Sequence, residues 1–503
     1  MSNANKQIKI GSVLSYFSIA VNILAGLIYT PWMIEQIGKG DYGLYTLASS
    51  LISLFLIDFG LGSAVSRYVS KYLAEKRQDK VDNFLGIIFK LYLIIDIIIF
   101  IVLAVIYFFI DSIYVKLTPS ELEKFKVVYL MAASFAVINF PFTPLNGILN
   151  AYEKFIQLKL ADVIYRVLLI GLTIAALIFG QGLYALVAVH SIVGIVIVVY
   201  KLIVIKKCIK LRVNYRYSDR VLYKDIFGFS IWVTISSLAQ RLVFNITPSI
   251  LGVVANSAAI AVFGIVTQIE GYAYTITSAI NGMFMPRISR IYEQGEEKSK
   301  LMPLLLSVGK FQYALNGLLV VGFAVIGKEF INLWMAPSYS DAYYGILLVL
   351  IPGMFFNSLQ IANTAMVVEK KVNLQAWVNL AMGLLNICLS FVLSSIFGVI
   401  GACISISVAY MLRAIVLIVI YKKVLNIDAI AIIKDVYIRM GVPIVLAIII
   451  GFLINWLITG SGWLNLALKG VIVVIIYLAI TFFIGLKQNE KIKLLKVIKK
   501  TNY

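Results

Sequence analysis

Five basic side chains stand inside apolar stretches of this sequence or at their margins: Lys90, Arg241 and Lys310 within them, Arg67 and Arg287 where they end. A guanidinium presents a planar fork of donors matched to phosphate, and an ammonium presents a compact positive charge. Together they can hold an anion, above all one carrying phosphate. Arg241 is the deepest, about fifteen residues and roughly 22 Å along its helix, too far to reach the interface easily. It reads either as a cation facing a water-accessible cavity or as half of a buried pair with Glu270, which an incoming anion would displace. Lys90 and Lys310 are either cavity cations or side chains that snorkel to the headgroups. Arg67 and Arg287 are either anchors at the cytoplasmic ends of their helices or a ring of guanidinium groups at a cytoplasmic mouth. Two carboxylates, Asp58 and Asp96, also lie within spans, where a charge is expensive enough to mark function; they could bind a coupling proton or sodium ion.

Bond-breaking chemistry finds no comparable set of residues. There is no Walker A motif, no GxSxG and no HExxH, so ATP hydrolysis and those hydrolase reactions are not expected. His190 is the only histidine, and Cys208, Cys388 and Cys403 stand alone, outside any metal or disulfide spacing. A non-enzyme without metal or cofactor is expected, driven by a proton or sodium gradient or by the membrane potential. An anion moving toward the positive side of the membrane would gain about 2.3 kcal/mol per unit charge per 100 mV.

The elements that position these residues are membrane helices. Hydrophobic residues make up 61% of the chain and charged residues 14%, against roughly 25% charged in soluble domains. Apolar runs of about 20 residues, enough to cross a hydrocarbon core, recur about fourteen times. The polar start runs straight into a full-length span with no small-residue cleavage site, which predicts an uncleaved first helix. The net charge of +20 is sorted by side: Lys39, Lys116, Lys124, Lys126 and Lys328 fall on one face, and nearly all other Lys and Arg residues on the opposite one. This asymmetry predicts that both termini are cytoplasmic. The charge then serves as a collar toward anionic lipid rather than as a nucleic-acid surface.

The chain also repeats itself. Arg67, Tyr72, Lys80 and Lys90 recur 220 positions later as Arg287, Tyr292, Lys300 and Lys310. Glu153–Lys154 recurs as Glu369–Lys370, and Lys206–Lys207 as Lys422–Lys423, each 216 positions on. An ordered series of this kind records duplication of a six-helix unit. The expected architecture is all-α and integral to the membrane. Two six-helix repeats are related by a pseudo-two-fold axis along the membrane normal, with two extra C-terminal helices and a cation-lined central cavity. The lobes are expected at 1–217 and 218–425, with the added helices and a basic tail at 426–503. Pro31 and Pro248 are expected to end helices 1 and 7 at matched positions. Asp162 and Arg166, at i and i+4, are expected to pair, and His190 to hydrogen-bond between helices.

This plan, together with "GDYGLYTLASSLISLFLIDFGLGSAVSRYVSKYLAE" (Gly40–Glu75) and "NGILNAYEKFIQLKLADVIYRVL" (Asn146–Leu168), resembles the polysaccharide-export flippases. These are the Wzx-type O-antigen and capsule repeat-unit flippases, in the superfamily of the multidrug and toxic compound extruders and the lipid II flippase. The resemblance implies a flippase of the bacterial cytoplasmic (inner) membrane for undecaprenyl-diphosphate-linked oligosaccharide, moving the headgroup to the outer leaflet by alternating access. Its partners would be that lipid, the surrounding membrane lipids and the polysaccharide polymerase machinery. In the lipid II flippase the added helices help form a groove for the lipid tail, which implies the same use here. The sequence departs from that relative in having no clear acidic sodium site in helix 7, where Arg241 is the main charge. A multidrug extruder of the same fold, and a pathway enzyme such as a polymerase or glycosyltransferase, are the alternatives.

Overall fold

Helix α4 (Gln78–Ile113) shows on one element what solvent the chain expects. Ile97, Ile98, Phe100 and Ile101 project outward, and Phe108 is 79% exposed; so much apolar surface on one helix is compatible with lipid and not with water. The computed structural model describes residues 3–209, 211–282 and 284–492, with side chains from residue 19 onward except 227, 229, 280, 282 and 298. Lys6, Lys9, Lys210, Lys298 and the lysines after residue 492 lie outside the described side chains.

Among the described residues the secondary structure is helical throughout, as a polytopic membrane protein requires when each segment must satisfy its own backbone. The chain packs as two compact units, Met1–Gly264 and Ile265–Tyr503. The first contains α1 (Asn3–Ile37), α2 (Lys39–Phe55), α3 (Leu61–Ala74), α4, α5 (Pro119–Asn139), α6 (Pro144–Ala151), α7 (Phe155–Ile178) and α8 (Leu183–Cys208). It continues with α9 (Arg220–Phe244), α10 (Thr247–Val254) and the opening of α11 (Ser257–Gly282). Within it α1 packs on α7, α3 on α6, and α2 on α5. The second unit holds the rest of α11, then α12 (Met285–Glu293), α13 (Glu297–Met335), α14 (Asp341–Asn357), α15 (Gln360–Val368) and α16 (Val372–Leu425). After these come α17 (Ala429–Ile432), a π-helical stretch Ile433–Ile438, α18 (Arg439–Leu457) and α19 (Trp463–Ile480). Here α14 packs on α16, and α13 packs on both α18 and α19. The expected lobe boundary near 217 falls in the connection before α9, while the packing units part inside α11.

Eleven helical stretches among the described residues are long and apolar enough to cross a membrane, fewer than the fourteen expected. Two physical details account for part of the difference. The 54 residues of α16 form one stretch with a single non-helical residue, Gly398, at φ 56° and ψ −132°. A side chain is costly at that φ, and the sequence reading separates two helices there. The apolar stretch over residues 43–66 reads from sequence as one span but forms two pieces: α2 has 17 residues and stops before a break at Leu56–Gly60. The prolines differ from expectation as well. Pro31 lies inside α1, whereas Pro248 sits in the first turn of α10, where its missing N–H leaves no bond unmade.

Candidate functional site

The break between α2 and α3 is written "DFGLG". Phe59 (φ 51°) and Gly60 (φ 67°) both adopt the left-handed conformation, which swings the Asp58 carboxylate over the start of α3. There it accepts the Gly62 N–H at 3.0 and 3.2 Å and the Tyr92 hydroxyl at 2.7 Å. A Cβ at residue 62 would come within 2.7 Å of Asp58 Oδ2, so a larger residue there would push the carboxylate aside. Asp58 thus neutralises the positive end of a helix and ties it to α4. It also forms part of the wall of a 670 Å³ cavity with Ser63, Ser66, Arg67, Asn146 and Asn150. Arg67 lies 5.7 Å from the centre of the Tyr68 ring. Of the expected site residues, Asp58 and Arg67 are therefore brought to one cavity.

Arg287, the repeat counterpart of Arg67, lines a different cavity of 720 Å³ with Arg290, Gln294, Glu296, Ser299 and Lys300. Lys300 pairs with Glu296 at 2.5 Å, which leaves the two arginines as the excess charge of this wall. The Arg67 cavity opens between α3 and α6, and the Arg287 cavity between α12 and α13. Equivalent positions of the repeated helix, 67 and 287 and also 70 and 290, line the two cavities, and it is the neighbouring helix that differs.

Arg241 is held by the end of another helix. The last carbonyls of α2 have no intrahelical partner, and Arg241 Nη1 donates to the Ser53 carbonyl while Asn245 donates to the Ser53 hydroxyl. A cation at a helix C-terminus also meets the negative end of the dipole. Lys90 has a partner of the same kind, the carbonyl of Tyr217 at 2.8 Å. That carbonyl is brought in by the connection between α8 and α9, whose Asn214 donates its N–H to the Asp82 carbonyl at 3.0 Å and its amide to Asn83 at 2.7 Å. Asp219 ends the connection by capping α9, accepting from Val221 and Leu222 N–H at 2.9 and 3.3 Å.

Lys310 is 5% exposed and pairs with Glu490 at 2.8 Å. The other Glu490 oxygen accepts the Lys487 N–H at 2.8 Å, and Lys487 pairs with Asp435 at 2.7 Å. Burial pushes the Glu490 carboxyl up, but Lys310 and the Lys487 N–H outweigh it and hold the group below the ordinary glutamate value. This chain of charges forms part of the wall of a 950 Å³ groove that is otherwise lined by Phe311, Leu315, Leu318, Met440, Leu478 and Phe482 among others. One helical turn after another along α13 therefore leads from a charged rim into an apolar trough.

Glu270 lies on α11 within electrostatic reach of Tyr410 and Tyr274, which also sense Arg413. Arg413, only 3% exposed, stacks 4.0 Å over the Phe356 ring, and its Nε has no hydrogen-bond partner. Asp96 sits among outward isoleucines of α4, with Oδ1 buried and unpartnered. Asp162 pairs with Lys159 at 3.2 Å rather than with Arg166, because i−3 is also a neighbour on a helix face. His190 does bridge helices, through the Tyr165 hydroxyl at 2.8 Å. Sequence reading missed the Lys469–Glu329 pair between α19 and α13, at 2.8 Å, because a single lysine barely lowers the hydropathy of its span. It also missed a buried amide ladder. Gln312 donates to Asn281 at 2.6 Å, Asn316 to Thr277 at 3.1 Å, and Asn357 to Asn316 at 3.3 Å.

A sequence-family model described as "Polysaccharide biosynthesis protein" matches residues 10–292, more than half of the chain. The chain belongs to the polysaccharide biosynthesis protein family. Within reach of that family is the "Putative O-antigen transporter" of Shigella flexneri, 22% identical over 426 residues that cover 83% of this chain and 98% of the relative. Among solved structures, the lipid II flippase MurJ in its inward closed conformation superposes with a TM-score of 0.72 at 15% identity, covering 94% of this chain and 98% of that one. An inward-facing multidrug resistance MATE transporter of the MOP superfamily gives 0.65 at 17% identity, over 84% and 98%. This member of the polysaccharide biosynthesis family is thus a multi-pass helical membrane protein with the fold shared by MurJ and the MATE transporters, and the family resemblance carried by its sequence motifs holds.

Proposed function

We propose that this chain is a flippase for undecaprenyl-diphosphate-linked oligosaccharide, carrying repeat units of a surface polysaccharide such as O-antigen or capsule from the cytoplasmic to the outer leaflet. The observation that carries the reading is the groove of the second unit, an apolar trough along α13, α18 and α19 with a charged rim at Lys310, Glu490, Lys487 and Asp435. An amphipathic lipid with a long apolar tail and a diphosphate head needs those two surfaces side by side. The relatives support the same reading. The extruder fold covers 84% of the chain and the lipid II flippase fold 94%, and the additional share is about the length of α18 and α19, which form one wall of the groove.

In this reading the chain works by alternating access in the bacterial inner membrane with both termini cytoplasmic, and it acts as a carrier rather than an enzyme. Arg241, Lys90, Arg67 and Arg287 supply positive charge along the headgroup path; Arg241 and Lys90 would exchange a main-chain carbonyl for phosphate. Asp58 and Asp96 remain the carboxylates proposed for coupling to a proton or sodium gradient. Membrane lipids and the polymerase machinery are the proposed partners. Deletion of the gene tests the proposal: lipid-linked repeat units are expected to accumulate on the cytoplasmic face, and surface polysaccharide to be lost. Normal surface polysaccharide after deletion, with no substitute carrier, rejects it. A drug extruder would instead leave polysaccharide unchanged and sensitise the cell to cationic compounds.

A further inference from the structure

Lys310 and Lys90 occupy the same place in the two repeats, yet their partners differ in charge. Lys90 donates to a neutral carbonyl, and Lys310 to the carboxylate of Glu490. Lys310 is deeply buried, with a side chain 7% exposed, whereas that of Glu490 is 32% exposed. Glu490 lies beyond α19, in a helical turn that begins at residue 488, and it is the more exposed member of the pair. Its carboxylate stands at the charged rim of the groove, on Lys310, a buried cation in the wall of the apolar trough. A phosphate bound there would meet Lys310 directly and Lys487 beside it, while its lipid tail lay along Phe311, Leu315 and Phe482.

We propose that Glu490 is a built-in competitor for the groove: its carboxylate occupies Lys310 in the empty carrier and is displaced by the diphosphate of a polyprenyl lipid. This rests on the function proposed above and adds to it a residue that sets the threshold for loading. An internal anion that is present most of the time lowers apparent affinity by the fraction of time the cation is free. It also keeps Lys310 from being left as an uncompensated buried charge, which is strongly destabilising. The occupant is a lipid-borne diphosphate rather than free diphosphate, because most of the wall beyond the rim is apolar and offers a soluble anion nothing.

The test is a titration of the full chain, in nanodiscs of neutral lipid, with farnesyl diphosphate as the short-tailed probe and inorganic diphosphate as the tail-free control. Glu490→Gln, close to isosteric, is expected to tighten farnesyl diphosphate binding by about tenfold. Glu490→Asp, which keeps the charge but shortens its reach, is expected to give a smaller gain and serves if the first variant folds poorly. Lys310→Gln is expected to weaken binding, and the Lys310→Gln, Glu490→Gln pair to match Lys310→Gln alone. Unchanged or weaker binding by both Glu490 variants overturns the proposal, as does a Glu490→Gln gain that survives without Lys310. Inorganic diphosphate binding as tightly as the farnesyl ester overturns the lipid as the competing anion. This titration can fail while the deletion phenotype stands, and the deletion phenotype can fail while the competition is seen, so the two readings fall separately.

Discussion

Cations within the membrane spans are handled differently in the two units. In the first, Lys90 and Arg241 donate to main-chain carbonyls, those of Tyr217 and Ser53. In the second, Lys310 and Lys469 each meet a carboxylate at 2.8 Å, Glu490 and Glu329. A carbonyl satisfies the hydrogen bond and leaves the positive charge standing; a carboxylate cancels it. The named partners in the first unit therefore leave these charges uncancelled, and those in the second cancel them. Arg413 is the exception in the second unit, a guanidinium set against the Phe356 ring, where the aromatic face offsets part of the charge. An anion drawn by the first arrangement need only replace a neutral group, whereas one drawn to Lys310 must displace a carboxylate.

The largest effect should come from breaking a closed pair on one side. Lys469→Ala leaves the Glu329 carboxylate without its cation, and Glu329 Oε1 already lacks a partner. The expected loss is about 3–5 kcal/mol, against a near-neutral Lys469→Met, Glu329→Leu double replacement. Equilibrium unfolding in mixed micelles measures both, and a single replacement no worse than the double would mean that the pair is not closed in the way described. Arg241→Ala comes next. It removes a charged donor from the end of α2 and should cost about 1.5–3 kcal/mol. Arg241→Glu is expected to abolish complementation of surface polysaccharide in the deletion strain, and Arg241→Lys to keep part of it. Full complementation by Arg241→Glu would show that the retained charge has no function.

Lys90 separates charge from structure more finely. Lys90→Gln keeps a donor near the Tyr217 carbonyl but removes the positive charge, so stability should change by less than about 1 kcal/mol while polysaccharide export falls. The same change at Lys310 should cost more stability, because Glu490 loses its cation and keeps only the Lys487 N–H. Equal stability losses at the two positions would erase the contrast between the units.

The sequence reveals much of this scaffold and little of the wiring. Gly398 is legible as a helix boundary because its φ of 56° combined with ψ −132° suits glycine, and the equivalence of Lys90 and Lys310 is legible because spacing survives duplication. Their partners are not legible. Tyr217 offers only its backbone, which every residue has, and Glu490 lies 180 positions away in a stretch that has no counterpart in the first repeat. Arg241 reads from the sequence as a cavity cation or as half of a pair with Glu270, and its hydrogen bond to the Ser53 carbonyl is legible in neither, because an unsatisfied helix end leaves no mark on side-chain composition. The Asn281–Gln312–Asn316–Asn357 ladder escapes for a related reason: amides cost less in a span than charges do, so they do not stand out until packing brings them into register.

The smallest effect concerns the connection that delivers the Tyr217 carbonyl to Lys90. Its end is fixed by Asp219, whose carboxyl is held below its ordinary value by the Leu222 and Val221 N–H groups it caps. A group whose folded value is depressed contributes stability above its unfolded value and loses that contribution as pH falls through the folded one. Protection of the first turn of α9 against amide exchange should therefore be full at neutral pH and decline as pH drops below about 3.8, the ordinary aspartate value. Asp219→Asn, still a good cap, is expected to keep protection at neutral pH and to lose the acid dependence; Asp219→Ala is expected to lose protection at every pH. If the connection carries the Lys90 partner as described, Asp219→Ala should also lower export slightly in the wild-type background and have no further effect in Lys90→Gln. An equal export defect in both backgrounds would mean that the cap acts on α9 alone, and that the carbonyl in the first unit is an incidental neighbour of its lysine rather than the counterpart of Glu490.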